Sequence, residues 1–193
     1  MATSMISPLI HHFYRSDKAR ATLLWLSALI VFAISTGARA SDIRDDDLKA
    51  VYLFRFAMLV DWKSSHDPSS QYQFCVDAEN GVSRKLKEII EKKPQAIFHQ
   101  IQRGEVSVPA CHIIYSNTDE TDKVSALKAT FPNALLVGEG RRFTRAGGMV
   151  AFVRVNNRIK PLINRKNLAG APFSLRSQLL SIAVMEGRIR HDS

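Results

Sequence analysis

The sequence predicts an α/β fold: a mostly parallel sheet with helices on both faces, plus a C-terminal antiparallel hairpin and a closing helix. Three observations predict it. Short apolar segments alternate with amphipathic ones from Tyr72 to Val137, the pattern of parallel strands covered on both sides. Met149 to Ile163 reads as two strands about the dipeptide Asn156-Asn157, and asparagine tolerates the positive φ that a two-residue hairpin requires. Leu175 to Met185 has helical spacing behind Ser174, a residue suited to the N-cap.

The elements follow in order. Arg15, Lys18 and Arg20 precede an apolar run from Ala21 to Ile34, and Ala38-Arg39-Ala40 places small residues at the positions a signal peptidase reads. Residues 1–40 therefore read as a cleaved secretory signal peptide. The apolar run is short against the roughly 20 residues a membrane span needs. Met1 and Met5 are both available as starts, and no cysteine stands immediately after the cleavage site, so a lipid anchor is not expected. Residues 41–193 are then expected to form a single domain, delivered to the periplasm. Its 153 residues are enough for one core.

Within that domain, Leu48 to Trp62 has helical spacing, and Asp45, Asp46 and Asp47 stand ahead of it, where negative charge suits a helix N-terminus. Tyr72 to Val76 is a strand. Val82 to Lys92 is an amphipathic helix stopped by Pro94. Ala96 to Ile101 and Cys111 to Tyr115 are strands, Lys123 to Phe131 is a helix ended by Pro132, and Ala134 to Val137 is a fully apolar strand. In a doubly wound order, with the second strand outside the first and the third and fourth on its other side, the two cysteine-bearing strands are neighbours. Gly147-Gly148 gives a tight lead-in to the first hairpin strand. Pro161 lacks a ladder donor, so the return strand is expected at a sheet edge or at a bulge.

Charge narrows the function. The whole chain carries a formal +9, and the part after Ala40 keeps +6. A basic balance suits nucleic acid, an anionic membrane surface or an acidic protein. Export disfavours nucleic acid, and the cations are dispersed without the aromatic interleaving of a single-strand groove. Cys75 and Cys111 in an oxidising compartment read as one disulfide, with two buried thiols as the alternative. Neither has a histidine or third cysteine at metal-ligand spacing.

No catalytic motif emerges. Gly138-Glu139-Gly140 follows an apolar strand, but Phe143 stands where a dinucleotide fingerprint needs its third glycine. There is no Gly-x-Ser-x-Gly elbow. His66, His99, His112 and His191 show no i, i+4 metal pair, and Asp61 and Asp77 sit at element ends with no evident acid or base role. The disposition suits a binding surface better than a convergent site.

Several segments together resemble the YfiR/HmsC family of exported regulators: K-A-V-Y-L-F-R-F-A-M-L-V-D-W with Asp61-Trp62; Gly147-Gly148-Met149 leading into M-V-A-F-V; N-N-R-I-K-P-L-I-N; and S-L-R-S-Q-L-L-S-I-A from Ser174 to Ala183. The family's Phe-Glu-Ile-Asn is here Pro161-Leu162-Ile163-Asn164, without the glutamate. Only one of the two cysteine pairs found in some members is present. The resemblance implies a periplasmic protein, without catalytic role or cofactor, that binds the periplasmic sensory domain of an inner-membrane diguanylate cyclase. It implies repression of cyclic-di-GMP synthesis, hence control of biofilm and exopolysaccharide, and sequestration by an outer-membrane peptidoglycan-associated lipoprotein. A homodimer is a further expectation.

Two surfaces are candidates for the partner. Arg154 and Arg158 flank the hairpin turn, and Lys160 and Arg165 follow. Together they are expected to form a positive rim that steers an acidic partner, with a solvated, charge-protected strand edge as the alternative. Trp62 is the second candidate, as an aromatic anchor or as a core residue. Outside this class, Arg141 and Arg142 near the end of the apolar strand motivate a periplasmic binder of small anions. A periplasmic hydrolase has the least support.

Overall fold

A computed structural model describes residues 37–63, 70–77, 79–101 and 110–187, with side chains from Asp45 onward. The chain divides into two compact units, Met1–Ile43 and Arg44–Ser193, and the fold described here is that of the second. The expected signal peptide lies outside the described residues, apart from the backbone of the last few before Ala40.

Helix α1 (Gly37–Leu59) is followed by β1 (Val60–Asp61), β2 (Tyr72–Val76), α2 (Gly81–Ile90), β3 (Ala96–Gln100), β4 (Ile113–Tyr115), α3 (Thr121–Thr130) and β5 (Leu135–Glu139). Then come α4 (Gly140–Arg145), β6 (Val150–Val155), β7 (Arg158–Ile163), β8 (Ser174–Leu175), α5 (Ser177–Ile182) and β9 (Val184–Met185). Seven strands form one sheet in the order β3-β2-β4-β5-β6-β7-β9. β3, β2, β4, β5 and β6 run parallel, β7 is antiparallel to β6, and β9 is parallel to β7. A separate ribbon pairs β1 with β8. The expected α/β class and doubly wound order are both present.

The handedness of crossovers explains the layers. The chain moves outward from β2 to β3 on one side and from β4 to β5 on the other, so right-handed connections put α2 and α3 on opposite faces. The first face also carries α1. Ala50, Leu53, Phe56, Ala57 and Val60 recur at helical spacing and are buried. Phe54 stacks on Phe74 of β2 at 5.9 Å, and Phe56 on Phe152 of β6 at 6.0 Å. On the second face α4 presses the Phe143 ring against the sheet. A Cβ added at Gly138 would lie 2.6 Å from that ring, and one at Gly148 2.1 Å from it. The glycine that reads as part of a phosphate loop is thus a seat for an aromatic ring.

α2 starts with a reciprocal capping box: the Asn80 side chain accepts from Ser83 N–H at 2.9 Å, and the Ser83 hydroxyl accepts from Asn80 N–H at 2.8 Å. The hairpin turn takes the expected form, with φ of 48° at Asn156 and 57° at Asn157.

Four expectations are corrected. Asp45, Asp46 and Asp47 lie inside α1, which begins at Gly37, and each binds a cation: Asp45 Arg154, Asp46 Lys49 and Asp47 Lys85. Trp62 lies beyond the end of α1, because Val60 and Asp61 are drawn into pairing with Leu175 and Ser174. The closing helix is only Ser177–Ile182. Its expected first residues form β8 and its last form β9 against Leu162 and Ile163. Finally, β7 is not the outermost strand along its whole length. Glu186 N–H reaches Ile163 O, so Ile163, and by the two-residue period Pro161, direct their backbone away from β6. β9 pairs only at Leu162 and Ile163. Pro161 therefore meets the open part of that edge, and its missing N–H costs no ladder bond.

Candidate functional site

The basic hairpin is built by a register. Arg154 pairs across with Ile159, Val153 with Lys160 and Val155 with Arg158. Residues directly opposite share a face, and neighbours along a strand do not. Arg154 therefore points to the α1 face, where it holds the Asp45 carboxylate and also donates to Asn157 Oδ1 at 3.3 Å. Arg158 and Lys160 point to the other face. The expected four-residue rim is thus split: Arg158 is exposed and Lys160 half-buried on one side, Arg154 is engaged on the other, and Arg165 is exposed in the turn after β7. Among the described residues, Arg158, Lys160 and Arg165 have no acidic partner.

That turn is anchored to the core. Asn167 Nδ2 donates to Thr144 O and Gly148 O, both at 2.7 Å, and Asn164 Oδ1 accepts from Lys166 N–H at 3.0 Å. Arg165 is consequently presented by a segment fastened to α4 and to the lead-in of β6.

Trp62 is a core residue, with 4% of its surface exposed, so it is not available as a partner anchor. Its Nε1–H donates to Ala57 O at 2.7 Å, satisfying a carbonyl in the last turn of α1. The ring packs edge-on against His112 at 5.4 Å and against Phe173 at 5.2 Å. His112 Nδ1 accepts from Gln73 N–H at 3.0 Å, which requires that nitrogen to be deprotonated. His99 Nε2 lies 2.6 Å from Gln73 Oε1, and burial lowers its pKa. Both histidines are thus tied to β2. His66 and His191 lie outside the described residues.

Cys75 and Cys111 form a disulfide with a Cα separation of 5.9 Å. It joins β2 to the residues just ahead of β4, the adjacent strand.

At the carboxyl ends of the parallel strands, where open α/β sheets commonly bind ligands, the chain's own side chains interlock. Tyr115 OH donates to Glu139 Oε1 at 2.8 Å, and Lys49 Nζ of α1 lies 3.0 Å from the same oxygen. Burial and then the Glu139 charge push the Tyr115 hydroxyl far above its usual range, so it remains a donor. Between β2 and β4, Asp77 accepts from the buried Ser116 hydroxyl and from Asn117 N–H at 3.1 Å. This network pins α1 over the strand ends. Sequence inspection missed it. Its one signal is that Tyr115, Asp77 and Glu139 each stand at or just past the end of an apolar strand. Arg142, one of the two arginines considered for anions, lies 2.9 Å from Asp119. Among the described residues, no group of three or more His, Cys, Asp or Glu side chains could hold a metal ion, and no helix is long and apolar enough to cross a membrane.

The described residues form an α/β scaffold with a basic face whose cations Arg158, Lys160 and Arg165 have no acidic partner among them. A family model described as YfiR/HmsC-like matches residues 46–184, and the chain belongs to that family. Family membership is consistent with a regulatory rather than catalytic role in the periplasm. No curated protein matches the chain.

Proposed function

We propose that this protein is a periplasmic brake on an inner-membrane diguanylate cyclase. In this reading it is exported by residues 1–40 and binds the cyclase's periplasmic sensory domain, lowering cyclic-di-GMP synthesis and with it biofilm and exopolysaccharide. An outer-membrane peptidoglycan-associated lipoprotein sequesters it and releases the cyclase. Family membership supports the reading. The structural observation that carries the partner surface is the set Arg158, Lys160 and Arg165, cations without acidic partners among the described residues, held on a hairpin and a turn anchored by Asn167. Such a surface favours an acidic partner and fast, salt-sensitive association.

The test is cellular cyclic-di-GMP in the native host with and without the gene, complemented by the full chain and by a form lacking residues 1–40. The expected result is a rise on deletion, reversed by the exported form alone. No rise under several envelope stresses would overturn the reading.

A further inference from the structure

The two edges of the large sheet are treated differently. Next to the β9 edge, β7 carries Arg158, Lys160 and Pro161, all features that discourage stray pairing. The β3 edge carries Ala96-Ile97-Phe98-His99-Gln100, with no carboxylate, lysine, arginine or proline. Its hydrogen-bonding direction follows from its ends. Gln95 O accepts from Tyr72 N–H at 2.9 Å, and Ile101 N–H donates to Val76 O at 2.7 Å. In the parallel register, Ile97 and His99 turn their backbone to β2, and Phe98 and Gln100 turn theirs outward. Among the described residues, no backbone partner meets those outward groups.

Beside this edge runs a groove of about 580 Å³ between the C-terminal end of α2 and β3. Ile90, Pro94, Ala96 and Phe98 supply its apolar lining. Its rim carries Lys87, Lys92 and Lys93 against the single carboxylate Glu91. The lysines are exposed, and among the described residues none is ion-paired.

We propose that the β3 edge and this groove bind an extended acidic segment of another protein, which joins the sheet as a further strand beside Phe98. Backbone bonds to Phe98 and Gln100 provide register, alternate apolar side chains enter the groove, and carboxylates meet the three lysines. A second copy of this chain is the poorer occupant, because its own β3 brings no carboxylate to those lysines. The surface is distinct from the hairpin assigned to the cyclase, so the two are tested separately.

The test uses the purified chain and two labelled octapeptides, one alternating Glu and Val, the other Lys and Val. The Glu-Val peptide should raise fluorescence anisotropy, bind more weakly as salt rises, and slow amide exchange at Phe98 and Gln100. The Lys-Val peptide should not bind. Lys92→Glu with Lys93→Glu, both at exposed positions, should weaken binding by about ten-fold or more, and Arg158→Glu should leave it unchanged. Phe98→Pro removes an outward N–H but no bond to β2, and should abolish binding while melting remains cooperative. Failure of the Glu-Val peptide to bind, equal binding of the two peptides, or amides at Phe98 and Gln100 already protected in the free protein would overturn the proposal. So would a dimer in sedimentation that Phe98→Pro dissociates, since a second copy would then occupy the edge.

Discussion

Arg154 and Arg158 are four residues apart in the chain and lie on opposite faces of the sheet. The Asn156-Asn157 turn places Arg154 opposite Ile159, so Arg154 meets Asp45 of α1 and Arg158 faces away from it. The two substitutions should therefore differ in kind. If the proposed partner surface is right, Arg158→Glu should slow association with the proposed cyclase partner's periplasmic domain and reduce its salt dependence, leaving the melting temperature unchanged. Arg154→Glu should leave association largely intact. Its cost is in stability, about 0.2–1 kcal/mol for an exposed pair, plus the repulsion of Asp45. Stopped-flow association and urea titration of both variants check this.

The disulfide should carry substantial stability. Its sequence separation of 36 residues corresponds in the chain-entropy picture to roughly 4 kcal/mol. The Cys75→Ala, Cys111→Ala double variant should unfold at a clearly lower denaturant midpoint. Reductant should shift the parent protein the same way and leave the variant unmoved.

Gly148→Ala should destabilise through one contact. The new methyl would fall 2.1 Å from the Phe143 ring, which is fully buried and also seated on Gly138. Overpacking of this kind costs about 1–3 kcal/mol. Adding Phe143→Leu should recover part of the loss, so the double variant should be more stable than the two single effects predict. Additive losses in thermal unfolding would show that the glycine is required for another reason.

His99 should give a mild acid sensitivity. Burial lowers its folded-state pKa from the ordinary value of 6.5, so the unfolded chain binds the proton first. Stability is complete above about pH 6.5 and declines as pH falls toward the folded value. His99→Gln should flatten that slope in denaturant titrations at a series of pH values between neutrality and the carboxylate range.

Much of the fold was legible because the signals were local. The apolar strands, the proline stops after α2 and α3, and the Asn-Asn turn each depend on a few adjacent residues. The cysteine pairing followed from there being two cysteines in a chain expected to be exported, and the strand order made it geometrically reasonable. What escaped inspection depends on partners far along the chain. Leu175 to Met185 carries helical spacing throughout, yet its two ends become strands because Val60–Asp61 and Leu162–Ile163 offer backbone to pair with. Trp62 could be read as surface or core, and only the neighbourhood of His112 and Phe173 decides for the core. The rim of four cations looked continuous because spacing along a hairpin does not reveal the face until the register is known. The Tyr115–Glu139–Lys49 network joins α1 to strands some 66 and 90 residues further on, with no motif to announce it.

The bridge between Cys75 and Cys111 gives the molecule a closed covalent circuit that includes β3 and all of α2. A protease that cuts the backbone at one point between the two cysteines opens that circuit without dividing the molecule. β2 and the segment leading into β4 remain tethered, and two cuts are needed to release any piece of the β3 edge. The β3 edge thus belongs to a part of the chain that stays attached after a single nick.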